Sequence, residues 1–277
     1  MSSVMISSMS FTPGRGIASG VAERLGLDLI DDSIYQMAGE RFGVSDRQLR
    51  SAFEKGPSLV GMSSAHRRRL AVCVDAALAS QFGRNDSVYH GPFAGLTLRG
   101  VAHILRIRIS TGFAERVGAA QRQGVDPIAA ERRVRSSDGA ARQIAWAIFG
   151  REDVDADYDL VLDLSDGSEA EAIDSIVRAA RSPAYRPTTF SCQCLRDLEL
   201  ASTVAAHLAC KLAVDAEADL HEGVLRIRAE ASERRRERIR HEAESIAAGL
   251  PGIRKVEVQV VDCWLRPLPK TRREDTP

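Results

Sequence analysis

Residues 4–26 read VMISSMSFTPGRGIASGVAERLG, and the pattern of this stretch changes twice. A short apolar run is followed by a turn with proline and glycine, and then Ile17, Val21 and Leu25 recur four residues apart until Gly26. Apolar residues at this spacing are typical of one helix face, and glycine commonly ends a helix. The stretch therefore predicts a strand, a tight loop and a helix.

The alternation of strand and helix patterns continues to residue 180. Short apolar runs predict further strands at residues 27–30, 87–90, 103–109 and 158–164. Longer amphipathic stretches predict helices after Asp31 and Asp32, from Ser63 or Ser64 to Phe82, and over residues 114–123, 127–149 and 169–180. Strands that alternate with helices form a parallel sheet covered by helices on both faces. The predicted fold class of this half is α/β.

The pattern changes after residue 181. Residues 182–194 include two prolines and lack an apolar period at their start, which predicts a linker. The following segments predict, in order, a helix, two strands of a hairpin, a charged helix and a third strand, at residues 195–212, 214–220, 224–230, 232–248 and 255–261. We therefore expect an α/β domain at 1–181, a small α+β domain of order αββαβ at 195–265, and a disordered tail at 266–277.

The overall composition limits which class of partner and which cellular compartment we expect. Thirty-eight basic and thirty-eight acidic residues leave no net charge, so nucleic acid is not an expected partner. The five cysteines are odd in number and lack framework spacing, which indicates reduced thiols and a cytoplasmic location. Cys192 and Cys194 do not have the spacing of a zinc knuckle, so no metal site is predicted.

Several short motifs occur in a fixed order along the first half. They are GRGIA (14–18), AERLG (22–26), LID (29–31), VYHG (88–91), LTLRG (96–100), Ser137-Asp138 ahead of Phe149-Gly150, and YDLVL (158–162). Together they resemble the cytidylate-kinase-like family of nucleoside monophosphate kinases over residues 4–180. The resemblance implies a P-loop kinase fold, with ATP and Mg²⁺ as cofactors and a nucleotide or another phosphate-bearing small molecule as ligand.

The resemblance also implies that Thr12, Gly14, Arg15 and Gly16 contact the nucleotide phosphates. A P-loop kinase supplies a lysine to the phosphates and a Ser or Thr hydroxyl to magnesium. Gly14 and Gly16 fall at those two positions, and Pro13 removes one amide donor. Arg15 matches an arginine that the wider family carries here. A plain tight turn between strand and helix is the alternative interpretation of this loop.

Three further residues are assigned by the same resemblance. Asp31 lies where family members carry an acid near the acceptor monophosphate, although it or Asp32 could equally cap the following helix. Asp138 and Arg142 match the lid that closes over the phosphates, where several arginines usually follow the aspartate. The candidate catalytic residues are therefore Arg15, Asp138 and Arg142.

Other basic residues are expected to have structural or solvated positions. Arg132, Arg133 and Arg135 precede the lid aspartate and are interpreted as a solvated helix face. The run at 67–69 is also expected to face solvent, and His90, at a strand end, to be structural.

The second half carries its own set of motifs. These are LRDLEL (195–200), EGVL (222–225) and LPGIRKV (250–256), the last leading from a Pro-Gly turn into a strand. They resemble a BON domain, and this resemblance implies binding of a ligand, a membrane surface or a protein partner.

Three functions remain open at this point. Phosphoryl transfer depends on positioning and on neutralising charge, and the loop lacks a lysine and a hydroxyl. The first hypothesis is therefore a degenerate kinase fold that binds a nucleotide or phosphate, or has a regulatory role. The alternative is an active kinase that transfers the ATP γ-phosphoryl group to CMP or dCMP. A structural or interaction protein is the third. Whether the protein is an enzyme is left open.

Overall fold

The computed structural model of the chain describes residues 3–56, 62–165 and 167–261. The first half contains β1 (Ser3–Ser8), α1 (Gly14–Leu25), β2 (Asp28–Ile30), α2 (Ser33–Phe42), α3 (Asp46–Glu54), α4 (Ser64–Arg84), β3 (Ser87–His90), β4 (Ile104–Ser110), α5 (Phe113–Arg122), α6 (Pro127–Phe149), β5 (Leu160–Asp163) and α7 (Glu169–Ala180). The second half contains α8 (Thr189–Leu212), β6 (Asp215–His221), β7 (Val224–Glu230), α9 (Arg236–Ala247) and β8 (Lys255–Val261). The predicted tail at 266–277 lies outside the described residues.

The first five strands form one sheet in the order β2-β3-β1-β4-β5. Every neighbouring pair is parallel, with Ile6 of β1 opposite His90 of β3 and Ile107 of β4. The carboxyl ends of parallel strands lie at the same edge of a sheet. The predicted α/β class with a parallel sheet is therefore confirmed, and the loops that follow β1, β2 and β3 are neighbours.

Helices cover both faces of this sheet, as predicted. On one face α1 and α7 bury Ile17 and Ile176 against the β1 residues Val4 and Ile6. On the other face helices α2, α3, α4 and α6 pack around Met5. Across the described ranges, every helix is too short or too polar to cross a lipid bilayer.

The second half forms a separate three-stranded sheet, β6-β7-β8, whose apolar face packs on α8 and α9. β6 and β7 pair antiparallel through a tight turn at Glu222 and Gly223, both of which have positive φ, at 48° and 75°. Such a turn matches the twist of paired strands. β8 returns parallel to β7 after the crossover through α9. The elements occur in the order αββαβ.

One predicted helix boundary needs correction, and one helix was not predicted. Helix α8 begins at Thr189 rather than at residue 195, because Thr188 and Ser191 form a reciprocal capping box at its start. Only residues 181–188 therefore separate α7 from α8. The sequence patterns also missed α3, a nine-residue helix whose start is capped by the Ser45 side chain.

The basic run at 67–69 lies in contacts within the protein rather than in solvent, which corrects the expectation for it. Arg67 is 1% exposed and donates to the carbonyls of Ser51 and Ala52 at the end of α3. Arg68 pairs with Asp215 and Glu230 of the second sheet, and Arg69 donates to the carbonyl of residue 213. The pattern alone could not show this, because α8 and β6 are far away in sequence. Arg68 and Arg69 thus join the two halves of the chain, whereas Arg67 bonds within the first half.

Candidate functional site

The candidate site lies at the carboxyl edge of the sheet, where β1 and β3 end beside the start of α1. Ser8 is the last residue of β1 and His90 the last of β3, and Ser8 Oγ lies 3.0 Å from His90 Nε2. Ligands of open α/β sheets commonly bind at this edge, near the strand where the order of connections reverses. The position therefore suits a ligand site.

The N-terminus of α1 presents free amides to this edge. Pro13 is the N-cap residue, and no side chain caps the helix. The amides of Gly14, Arg15 and Gly16 occupy the first turn, where amides have no carbonyl partner within the helix. Thr12 is turned inward, since its Oγ1 donates to the Met9 carbonyl at 2.5 Å. Uncapped amides and the helix dipole favour an anion here.

Gly14 is buried against the two strand ends. A Cβ atom placed on it would lie 2.2 Å from Ser8 Oγ, 2.3 Å from Ser8 Cβ and 2.9 Å from His90 Nε2. Because Ser8 is held in a central strand, its Cβ cannot move far. A longer side chain at this position would have no room, so the packing at the end of the loop requires glycine here.

We predict that Gly14→Ala lowers the free energy of unfolding by about 2–3 kcal/mol, because the new methyl group overpacks a rigid contact. Gly139→Ala is the matched control. It lies in the middle of α6 with no atom within 4 Å of its added Cβ, and it should stabilise by about 0.5–1 kcal/mol through helix propensity. Urea unfolding of the two variants measures both effects, and equal stability of the two would contradict the contact at Gly14.

Arg15 and Asp31 form the charged part of the site. Arg15 Nη2 lies 2.7 Å from Asp31 Oδ2, and the side chains are 75% and 23% exposed, respectively. Asp31 Oδ1 also accepts a hydrogen bond from the Ser33 amide at 3.3 Å. Asp32 makes no capping bond and pairs with Arg50 instead. Asp31 thus stabilises the start of α2 and neutralises Arg15 at the same time.

His90 does not supply a second positive charge. Burial lowers the pKa of His90 below its ordinary value and outweighs the opposite effect of Asp31 and Asp32. Because the ordinary pKa of histidine is already about 6.5, the imidazole is neutral at pH 7. Among the described residues, Arg15 is therefore the positively charged side chain at the start of α1.

Asp138 is placed in the hairpin formed by α5 and α6. Its carboxylate accepts two hydrogen bonds from Arg116 of α5, at 2.7 and 2.9 Å, and the Arg116 side chain is only 5% exposed. This buried arginine was missed by sequence reasoning, although an arginine among the apolar positions of a short helix could have indicated it. Arg142 lies on an exposed part of α6, and the described residues show no ion pair for it.

The same hairpin contacts the loop after β1. The guanidinium of Arg133 lies 5.9 Å from the ring centre of Phe11, and the hydroxyls of Ser10 and Ser137 are hydrogen-bonded. Phe11 also packs with the apolar cluster of the hairpin. Arg133 is thus in contact with the loop rather than part of a purely solvated face. Asp138 follows Ser137 and so lies next to this contact.

The residues of the loop fit a phosphate better than they fit Mg²⁺. Gly16 has no hydroxyl to offer a metal, and a Cβ on it would lie 3.4 Å from Glu169 Oε2, which places an acid beside the loop. The Thr12 hydroxyl is already bound to a carbonyl. Among the residues that the structure describes, no cluster of three or more His, Cys, Asp and Glu side chains could hold a metal ion.

A half-buried carboxyl group, that of Asp75, lies on the other face of the sheet, and sequence reasoning did not single it out. Burial raises the pKa of Asp75 in α4 to about 7. Burial also raises the pKa of Tyr89 in β3, with smaller contributions from Tyr35 and Asp75. An acid inside the apolar run from Val74 to Ala79 was the available signal. Because this pKa lies near physiological pH, both the neutral and the charged form of Asp75 are populated there.

Several solved structures are similar to this chain. An uncharacterized protein from Eubacterium ventriosum ATCC 27560 is similar at 14% identity, over 65% of this chain and 98% of that chain, with a TM-score of 0.50. Shikimate kinase from Acinetobacter baumannii, in complex with shikimate, is 11% identical over 65% and 92% of the two chains, with a TM-score of 0.37. A sugar kinase from Janibacter sp. HTCC2649 is 13% identical over 68% and 99%, with a TM-score of 0.41.

At 14% identity the first of these similarities concerns the fold alone. No curated protein matches the chain. The sequence model of the cytidylate kinase-like family matches residues 4–166, which is more than half of the chain and includes the loop after β1, Asp31 and the α5–α6 hairpin. This protein belongs to the cytidylate kinase-like family.

Proposed function

We propose that the start of α1 binds a nucleotide or another phosphate-bearing small molecule, and that it transfers phosphoryl groups poorly or serves a regulatory role. The observation that carries this proposal is the pairing of Arg15 with Asp31 at 2.7 Å. The cation beside the uncapped amides is already neutralised by a carboxylate. A phosphate must therefore compete with Asp31 for the Arg15 guanidinium.

Binding is the less demanding of the two activities. Three amides of the first helical turn and the helix dipole attract an anion without any side chain. Arg15 is 75% exposed, so its side chain can turn from Asp31 to a phosphate at little cost. ATP is the ligand that family membership favours.

Transfer needs more positive charge than this loop offers. The lysine position is Gly14, whose surroundings leave no room for a longer side chain. The metal-anchoring position is Gly16, with Glu169 beside it. Loss of one donor to the transition state typically costs about 10²–10³ in rate, and loss of an arginine contact about 10³–10⁵. Two such losses would leave little turnover, even if their effects are not additive.

An active kinase that transfers the ATP γ-phosphoryl group to CMP or dCMP is the second candidate function. Family membership favours it, and so does the contact of the α5–α6 hairpin with the loop through Phe11 and Arg133. In that case Arg15, Asp138 and Arg142 would form a reduced catalytic set with Mg²⁺ held by the substrate phosphates. CMP-dependent release of ADP from ATP would distinguish this function from binding alone.

Replacing Asp31 and replacing Arg15 should change the affinity for ATP in opposite directions. Asp31→Asn frees Arg15 and removes a negative charge, so it should tighten ATP binding about fivefold, in line with an exposed pair of up to 1 kcal/mol. Arg15→Ala should weaken ATP binding about tenfold, because a charged hydrogen bond to the phosphate is lost. Calorimetric titration at fixed ionic strength measures both changes.

Arg238→Ala is the matched control for these titrations. Arg238 is exposed on α9 of the second domain, so its removal changes the net charge equally without touching the loop. Equal loss of affinity in Arg15→Ala and Arg238→Ala would contradict a site at Arg15. Absence of ATP binding in the wild-type protein would contradict the proposal itself.

We also propose that the second domain is a BON-like module that binds a small ligand or a partner. The order αββαβ and the apolar cluster that α8, α9 and the second sheet form together support this. Its open sheet face carries Glu217, Asp219 and Glu257 beside Arg226 and Arg228. These charges nearly balance, which favours a polar ligand or protein over an anionic membrane surface. Cosedimentation with vesicles rich in phosphatidylserine tests this. Protein that pellets with the vesicles would favour the membrane surface.

A cytoplasmic location is part of the same proposal, and nucleic acid is not an expected partner. The four cysteines in the described residues are free thiols, as in a reducing compartment. The chain has no net charge to attract phosphodiester backbones.

A further inference from the structure

Two thiols from different halves of the chain meet at the contact between α4 and α8. Cys73 Sγ lies 3.6 Å from Cys210 Sγ, and the two residues are 137 positions apart. Cys73 is fully buried, whereas Cys210 is exposed. Paired thiols at this distance need only small side-chain rotations to reach bonding distance.

The surrounding contacts hold the two helices in place. Arg68, on α4, pairs with Asp215 at the start of β6, directly after the end of α8. Phe42 of α2, a helix that packs on α4, lies edge-on against His207 of α8 at 5.2 Å between ring centres. The packing of α4 against α8 therefore brings the two sulfur atoms together.

The environments of the two thiols give them different roles. The hydrogen bond between the two thiols lowers the pKa of Cys210, whereas the same hydrogen bond and burial raise the pKa of Cys73. The thiolate is the nucleophile in disulfide exchange, so the exposed Cys210 is suited to attack an incoming disulfide. Cys73 is shielded from solvent but lies next to the sulfur that is attacked.

We propose that Cys210 is a modification site for low-molecular-weight disulfides such as oxidised glutathione, and that Cys73 resolves the product into a Cys73–Cys210 disulfide. In the first step the Cys210 thiolate attacks one sulfur of the oxidised glutathione, and one glutathione thiolate leaves. In the second step Cys73 attacks Cys210 Sγ, the bond from Cys210 to glutathione breaks, and the proton of Cys73 passes to the departing glutathione thiolate. The protein loses two electrons and two protons, and the oxidised glutathione is reduced to two thiols.

The product would join the family-matched half to the second domain. It would link α4, which packs against the sheet, to α8, which begins the second domain. The inference is independent of any nucleotide binding, since none of its groups lies at the loop after β1.

A variant in which Cys192, Cys194 and Cys263 are replaced by serine isolates the pair, because it keeps only Cys73 and Cys210. After treatment with oxidised glutathione, we expect the intact protein to lose the mass of two hydrogen atoms and to have no free thiol. A peptide containing residue 73 should be linked to one containing residue 210 under non-reducing conditions. The Tm should rise by roughly 5 °C or more, and the rise should vanish with dithiothreitol.

Two single changes in the same variant separate the roles of the thiols. Cys73→Ala should stop at the mixed disulfide, with one glutathione retained on Cys210. Cys210→Ser, at an exposed position that does not affect the core, should remain unmodified on the same timescale. Retention of two free thiols by the treated parent variant would overturn the proposal, and so would glutathione accumulating on Cys73 in Cys210→Ser.

Discussion

Replacing Asp138 with alanine is expected to lower the free energy of unfolding by about 3 kcal/mol, because it leaves a buried arginine without its partner. Arg116 is 5% exposed, and both of its terminal nitrogens donate to the Asp138 carboxylate. Removing one member of a buried pair costs more than the pair itself contributes, since the remaining charge loses both water and its counter-ion. Urea unfolding measures the loss.

A double-mutant cycle shows whether the effect comes from the pair. Arg116→Met with Asp138→Ala removes both charges and should recover at least half of the lost stability. Glu131→Ala is the control on the same helix. Its partner Arg135 is 67% exposed, so this change should cost less than about 1 kcal/mol. A loss of stability in Asp138→Ala no larger than in the control would contradict a structural role for the pair.

The second large effect is expected from Asp75. Burial raises the pKa of Asp75 from its ordinary value of 3.8 to about 7. At pH values between the two, the folded protein therefore keeps a proton on Asp75 that the unfolded chain has lost. Its free energy of unfolding falls as the pH rises from about 4 to about 7. The difference between the two pKa values corresponds to about 4 kcal/mol, and the partial solvent contact of residue 75 reduces this to about 2 kcal/mol.

Asp75→Asn should accordingly be more stable than the wild type at pH 8 by about 2 kcal/mol, and nearly equal to it at pH 4. Urea unfolding across this pH range measures the difference. Asp28→Asn, at an exposed position on β2, is the control and should leave the pH dependence unchanged. A constant difference between wild type and Asp75→Asn at all pH values would show that Asp75 does not titrate in this range.

Most of the fold could be predicted because its signals are local. The turn from β1 into α1 follows from a change of apolar period, and α1 ends at Gly26, which has a positive φ of 67°. α4 begins at the predicted serine, since Ser63 accepts a hydrogen bond from the His66 amide. The limits of α6 were likewise marked by a proline at its first position and a glycine after its last. Each of these signals lies within a few residues of the element it ends.

The charge pairing in the site could not be predicted, because it joins residues from different elements. Arg15 and Asp31 were both singled out, but their ion pair depends on β1 and β2 ending at the same edge of the sheet. The partner of Asp138 was missed for the same reason, since Arg116 lies 22 residues earlier on another helix. Sequence resemblance assigned plausible roles to these residues. It could not show which charges are already neutralised.

The most direct measurement is the rate of phosphoryl transfer from radiolabelled ATP to CMP by the purified protein with Mg²⁺, at ATP concentrations that calorimetry shows to be saturating. Kinases typically turn over at about 1–100 s⁻¹. With Arg15 neutralised by Asp31 and glycines at positions 14 and 16, we expect ATP to bind and transfer to stay below about 10⁻² s⁻¹. Turnover near 1 s⁻¹ that Arg15→Ala abolishes would contradict a site able to hold a phosphate but not to transfer it.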